Sequence, residues 1–438
     1  MATKKLVSPF IRQAATRSYA QAAPATRRET KVASAVASNK AFVAALDNGS
    51  PVARVTVAFR AGSRYEPLTE LGISHVLRAS AGLTTKNATG FILARKLAQV
   101  GASVTASGDR EFVYYTLEAS HENLPEALEC LNNLISNQEF RPWELSDNIP
   151  RLKFDIAALP PQVRAVDLLH KAAYRRGLGN SLFISPKRVG QVSSESLQHY
   201  TSSYLVPSRC SVVVVGDTLD KANMIAQNLK LGSGVAKDEP ASYYGGEVRK
   251  EIGGDLAHVA VSLQGAPAGS TGALALAVAA KALGCGPVTK WGNDNSPVQK
   301  AVGNIGPFAA AGFNTSYSDS GLFGVILSVP KDEANSAVKA VGKLLRSPAL
   351  SADAIQAGKN QLKHLVLSEA DEGTSLAESL AAQGSYTGQA KAPTDIAAAI
   401  DALSVNDVSQ ALSNASKTKF SIGAVGNLAF VPYADELN

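Results

Sequence analysis

The chemistry this chain could perform starts from one histidine. His75 lies in the stretch Leu71-Gly72-Ile73-Ser74-His75-Val76-Leu77-Arg78-Ala79. There Ile73, Val76, Leu77 and Ala81 recur near helical spacing and predict a buried helix. His75, Arg78 and Ala79 then share one face. A metal-holding helix of the form H-x-x-E-H places two imidazoles at i and i+4, with a glutamate at i+3 as general base. In this chain the glutamate position is Arg78 and the second histidine position is Ala79. A methyl group has no lone pair for a metal. A guanidinium cannot accept a proton, and its charge repels a dication. By itself, a lone histidine on an apolar helix is a packing residue.

The other reactive groups form no constellation. His121, His170, His199, His258 and His364 are scattered without paired spacing. Ser193-Ser194-Glu195-Ser196 reads as a helix start rather than a nucleophile. Leu283-Gly284-Cys285-Gly286-Pro287 lacks the Lys-Ser/Thr of a phosphate loop. Cys130, Cys210 and Cys285 are far apart, form no C-x-x-C pair, and read as reduced, buried thiols.

The elements that must carry His75 read as strands and helix pairs. Residues 41–46 and 52–59 are strand-like, and Asn48-Gly49 between them signals a hairpin. Helices are predicted over 90–100 and 124–136, the latter with Pro125 in its first turn. Strands at 103–107 and 111–119 lie between them. A helix over 142–159 is interrupted by Pro150. Further helices follow over 166–177 and 193–204, on either side of a loop at 179–186. The valine run at 212–215 makes 209–216 a central strand.

The second half repeats the first. Residues 258–263 match 54–59 at an offset of 204, and 319–329 match 109–119 at 210. Val338, Val341, Leu344 and Leu345 fall under Leu128, Leu131, Leu134 and Ile135. Val425-Gly426-Asn427 falls under Val215-Gly216-Asp217. The constant offset means duplication of a domain of about 200 residues, too long a period for a solenoid. The expected fold is α+β, with two homologous domains, each a mostly antiparallel sheet with helices on one face. Expected bounds are 40–230 and 249–438, joined by a Gly-, Ser- and Lys-rich linker at 231–248.

Charge separates the N-terminus from the rest. The 438 residues carry a net charge of +6. Lys4, Lys5, Arg12, Arg17, Arg27 and Arg28 stand in an acid-free leader, and without them the chain balances 37 basic against 37 acidic residues. A neutral body argues against a nucleic-acid surface. The leader has the traits of a mitochondrial transit peptide, expected over 1–19 with a cut after Tyr19, followed by a disordered lead over 20–39. No apolar run approaches a membrane span.

The duplicated layout, the Gly72-Ile73-Ser74-His75 helix, the Leu178-Gly179-Asn180-Ser181 loop and the Tyr204-Leu205-Val206-Pro207-Ser208-Arg209 lead into the valine strand together resemble the pitrilysin-type zinc peptidases. The resemblance covers about residues 40 to 438. This family includes the mitochondrial processing peptidase and the core proteins of ubiquinol–cytochrome c reductase. Phe140-Arg141-Pro142-Trp143-Glu144-Leu145 and the ending Val431-Pro432-Tyr433-Ala434 are similar to the latter group. In active members two histidines and a distant glutamate hold zinc, and the motif glutamate activates water. Carried over, this chain keeps His75, has Arg78 for the base and Ala79 for the second ligand. Asp155 is the one carboxylate near the distant ligand position.

The resemblance therefore implies a subunit with no catalytic residues, no bound metal and no cofactor of its own. It implies a place on the matrix side of the mitochondrial inner membrane, in the respiratory chain. The implied partners are a homologous core subunit, cytochrome b, cytochrome c1 and the Rieske protein, with membrane attachment through them. The alternative is a non-catalytic, presequence-binding subunit of the processing peptidase, which a long Gly-rich loop would favour. None is evident. An active metallopeptidase is disfavoured by the ligand set.

Overall fold

The computed structural model describes residues 31–234, 238–284, 296–303, 305 and 308–437. The expected transit peptide, residues 20–30 of the expected lead, and Cys285 lie outside the described residues. The first half runs β1 (Val32–Val36), β2 (Phe42–Leu46), β3 (Val52–Phe59), α1 (Ile73–Ala79), α2 (Gly90–Gln99), β4 (Ser103–Gly108), β5 (Val113–Ser120) and α3 (Leu124–Ser136). It continues with α4 (Pro142–Asp147), α5 (Ile149–Ala157), α6 (Pro161–Tyr174), α7 (Ser194–Tyr204), β6 (Cys210–Val215) and α8 (Leu219–Asn228). The second half has β7 (Gly246–Glu251), β8 (Leu256–Gln264), α9 (Thr271–Leu283), α10 (Pro297–Val302), β9 (Ala309–Ser316) and β10 (Gly321–Pro330). It ends with α11 (Ala334–Arg346), α12 (Ala352–Asp371), α13 (Gly373–Thr387), α14 (Pro393–Ala402), α15 (Val405–Ser416) and β11 (Ser421–Gly426).

Each half builds one sheet. The strand orders are β1-β2-β6-β3-β5-β4 and β7-β11-β8-β10-β9. Apart from the extra edge strand β1, the two orders correspond strand for strand. The registers reproduce the sequence offsets. Arg54 stands opposite Val215 and Glu118, and His258 stands opposite Val425 and Ser328. Helices α3 and α11 begin and end 210 residues apart. The duplication is thus present in the backbone pairing as well as in the residues.

The expected hairpin between β2 and β3 does not form. Strand β6 inserts between them, parallel to β2 and antiparallel to β3. All six residues of β6 are buried. A strand apolar on both faces gains most at the centre of a sheet, and this outweighs the local pull of the Asn-Gly turn. Two other expectations change. Val32–Val36, placed in the disordered lead, is strand β1, because its backbone pairs with the open edge of β2. Residues 246–248, placed in the linker, already belong to β7, which pairs parallel with β11.

Both faces of each sheet are covered, by different helices. On one face of the first sheet Val55, Val57, Tyr115, Val212 and Val214 pack with Leu77, Leu131 and Leu197 of the same half. On the other face Phe42, Ala44, Tyr114, Val213 and Val215 pack against Leu376, Ala377, Leu380 and Ala381 of α13, from the second half. The exchange is reciprocal. Helix α6 of the first half lays Ala165, Leu169 and Ala173 on Ala260, Leu322 and Val425 of the second sheet. Helices on one face, as expected, describes each half's own helices; the opposite face is closed by the other half.

The halves also meet through a buried ionic cluster. The turn between β4 and β5 faces its own copy between β9 and β10. Arg64 donates to both oxygens of Asp319, at 2.8 and 2.6 Å, to Glu111 at 2.8 Å and to the Glu239 carbonyl at 2.8 Å. Glu111, fully buried, also accepts from the Ser318 amide at 3.0 Å and hydroxyl at 2.6 Å. Burial works against the Asp319 carboxylate, yet the Arg64 bonds and the Ala241 N–H hold its pKa below the usual range. Beside this cluster His170, also buried, donates from Nδ1 to the Val166 carbonyl at 2.8 Å and accepts from the Tyr317 hydroxyl at 2.7 Å. His170 is therefore a satisfied core histidine. Cys130 and Cys210 are free and buried, and burial pushes both thiols up.

Candidate functional site

Helix α1 is held at its start by a carboxylate from outside the helix. Glu66 accepts from the amides of Gly72 at 2.7 Å and Ser74 at 2.9 Å, and from the Ser74 hydroxyl at 2.5 Å. These bonds satisfy amides that a helix start leaves without partners. Burial raises the Glu66 carboxyl to about 6, against those bonds and the nearby Arg78 charge. Gly72 has φ +93, and a Cβ there would stand 2.6 Å from the Ile184 Cα. Glycine thus permits both the turn into α1 and the close passage of the loop at 180–186.

That loop covers the face on which His75 lies. The Ile184 N–H donates to His75 Nδ1 at 3.2 Å, and the Phe183 ring meets the imidazole edge-on at 5.6 Å between centroids. With Nδ1 accepting, the proton of the neutral ring is assigned to Nε2. Burial, and then the Arg78 charge, push the His75 pKa down to about 4, while Asp155 works the other way. The histidine is therefore neutral near pH 7.

Arg78, in the position of the base, acts as a tie. Its Nη2 donates to the Leu182 carbonyl at 2.9 Å, Nε to the Ser74 carbonyl at 3.3 Å and Nη1 to the Gly108 carbonyl at 3.4 Å. It joins α1, the covering loop and the end of β4. Ala79 buries its methyl in the core with Ile73 and Leu77. Its carbonyl accepts from Asn148 at 2.8 Å and Arg151 at 3.3 Å. Asp155, on α5, is half-buried and near enough for its charge to act on His75.

The structure thus places His75, Arg78 and Ala79 on α1, with Asp155 of α5 near His75. The donor set does not fit a zinc ion. One imidazole has its Nδ1 lone pair engaged, a cation stands where the base would be, and the second ligand position is a methyl group. Among the described residues, no three His, Cys, Asp or Glu side chains come together as a metal site. Sequence reasoning missed Glu66, whose only signal is an acid shortly before the helix start. It also missed the plug formed by Leu182, Phe183 and Ile184, which has no local signature.

The depressed His75 pKa gives a stability signature. An unfolded histidine titrates near 6.5 and the folded one near 4, so the unfolded chain takes up the proton first. Stability present above pH 6.5 is lost as pH falls toward 4. Between pH 6.5 and 4.5 this histidine accounts for about 2 kcal/mol of that loss. Urea denaturation at both pH values checks it: a His75→Gln variant should lose about 2 kcal/mol less than the parent over this interval.

The sequence and fold of the chain are similar to those of known proteins. Residues 42–185 match the insulinase family model, peptidase family M16, and residues 191–362 match the M16 inactive domain. The chain is 34% identical over 410 residues to human cytochrome b-c1 complex subunit 2, covering 91% of this chain and 90% of that protein. To the mitochondrial-processing peptidase subunit alpha of Solanum tuberosum it is 23% identical, covering 89% and 81%. A chain of complex III2 from Candida albicans, bound to Inz-5, superposes with a TM-score of 0.77 over 93% of this chain and 99% of that one, at 21% identity. This chain belongs to the M16 insulinase peptidase family, as a relative of the cytochrome b-c1 complex subunit 2 proteins.

Proposed function

We infer that the chain is a non-catalytic core subunit of mitochondrial ubiquinol–cytochrome c reductase, complex III, corresponding to core protein 2. The observation that carries this is the 34% identity to human subunit 2 along nearly the whole of both chains. His75 without a second ligand or a base supports a scaffold rather than a hydrolase. The subunit sits on the matrix side of the inner membrane. It pairs with the homologous core protein 1 and assembles with cytochrome b, cytochrome c1 and the Rieske protein. Among the described residues no helix is long and apolar enough to cross a membrane. Attachment through partners agrees with this. Electron transfer belongs to those partners, and the chain carries no cofactor of its own.

The reading as a presequence-binding subunit of the processing peptidase has weaker support, since identity to those alpha subunits is 22–23%. Native purification from mitochondria separates the two. Migration with cytochromes b and c1 is expected. A soluble heterodimer that cleaves presequences and lacks the cytochromes would overturn the assignment. For the degenerate site, metal analysis of the purified chain should return no stoichiometric zinc, and one zinc per chain would refute the reading of Arg78 and Ala79.

A further inference from the structure

The repeat exposes a difference between the halves. In the second half, Arg346 at the end of α11 ties that helix to the chain leaving α15. It donates to the Ser416 carbonyl at 2.5 Å and the Thr418 carbonyl at 2.8 Å, and its guanidinium stands 4.4 Å from the Phe420 ring centroid. The position 210 residues earlier is Ser136, at the end of α3. Its short side chain donates to Asn132 within its own helix at 3.0 Å. In the first half a cleft of about 930 Å³ lies between the ends of α3 and α7. That volume lies in the range of small-molecule sites.

The lining of the cleft is selective. It carries three cations, Lys86, Arg141 and Lys230, against one acid, Glu139, which pairs with Arg141 at 2.7 Å. Lys86 and Lys230 make no ion pair among the described residues. Trp143 is 62% exposed, with the Arg141 guanidinium 5.7 Å from its ring centroid. Behind the lining, both amide atoms of Gln138 are covered from solvent, with the buried Tyr115 hydroxyl beside them.

We propose that this cleft binds a small anion carrying a planar heterocycle, the chemistry of a mononucleotide. Lys86 and Lys230 offer an unneutralised field for a phosphate. The indole offers a face for stacking. Charge alone would attract any anion; the exposed tryptophan selects for the ring.

Equilibrium dialysis of radiolabelled AMP against the intact complex tests this. One saturable site per copy of this subunit is expected. Trp143→Ala, and Lys86→Glu combined with Lys230→Glu, should each weaken binding by about tenfold or more. Ser136→Arg installs the side chain that ties α11 to the chain leaving α15 in the second half; tied likewise to the end of α7 it fills the cleft, and should abolish binding at unchanged cytochrome content. Inorganic phosphate should compete at least about tenfold less well than AMP. Absence of saturable AMP binding overturns the proposal. So does binding indifferent to these substitutions, or phosphate competing as well as the nucleotide.

Discussion

Replacing Arg64 with methionine is expected to lower the stability of the chain by about 3–5 kcal/mol, since removing one member of a buried charge cluster leaves the others uncompensated. Arg64 has a side chain only 6% exposed, and Glu111, which it meets, is 1% exposed. Loss of the guanidinium leaves Glu111 with the Ser318 amide and hydroxyl but without its ion-pair partner, and only the more distant Arg60 charge acts on it. It also frees Asp319 from a two-pronged contact. The effect should be larger than that of Arg54→Met. Arg54 pairs with Glu118 at side-chain exposures of 24% and 37%, a setting where an ion pair contributes about 0–1 kcal/mol. Urea denaturation of the two variants gives the comparison. If the loss comes from a stranded charge, Glu111→Gln in the Arg64→Met background should restore part of it. Equal losses for Arg64→Met and Arg54→Met would show that the cluster does not hold the halves together.

The degenerate site was legible because its evidence is local. His75, Arg78 and Ala79 lie within five residues, so one helical period places them on a common face. The duplication was legible because an offset survives divergence: Arg54 and His258 share no chemistry, yet hold the same pairing position. What was not legible depends on contacts far apart in the chain. The buried run Val212–Val215 says that both faces of its strand are covered. It does not say that Val213 and Val215 meet a helix beginning at Gly373. Asn48-Gly49 favours a hairpin, and nothing in residues 41–59 reveals that a strand beginning at Cys210 takes the place between them. Arg64 reads as an ordinary loop cation until its partner, 255 residues away, is known. The plug over His75 is hidden for the same reason, since loop and helix are 109 residues apart.

The exchange of helices predicts the second large effect. Gly423, on β11, lies under α6. A Cβ there would stand 2.2 Å from the Ala165 carbonyl oxygen and 2.3 Å from the Leu169 amide nitrogen. Both are backbone atoms, so no side chain can turn aside. Gly423→Val should cost about 3 kcal/mol or more, at or beyond the upper end of ordinary overpacking. Trimming Leu169 to alanine should not recover it. Gly384, on the reciprocal helix α13, is equally crowded but for another reason. A Cβ there would meet the Phe42 ring, with its nearest atom at 2.0 Å. The obstacle is a side chain, so Gly384→Ala should be much less harmful in a Phe42→Ala background than alone. The two pairs therefore form double-mutant cycles with opposite expectations: additive at Gly423 and Leu169, strongly coupled at Gly384 and Phe42. Coupling at the first pair would mean that α6 yields where its backbone meets the sheet. Additivity at the second would mean that α13 does not press on Phe42. Either result would break the account in which each half closes the open face of the other.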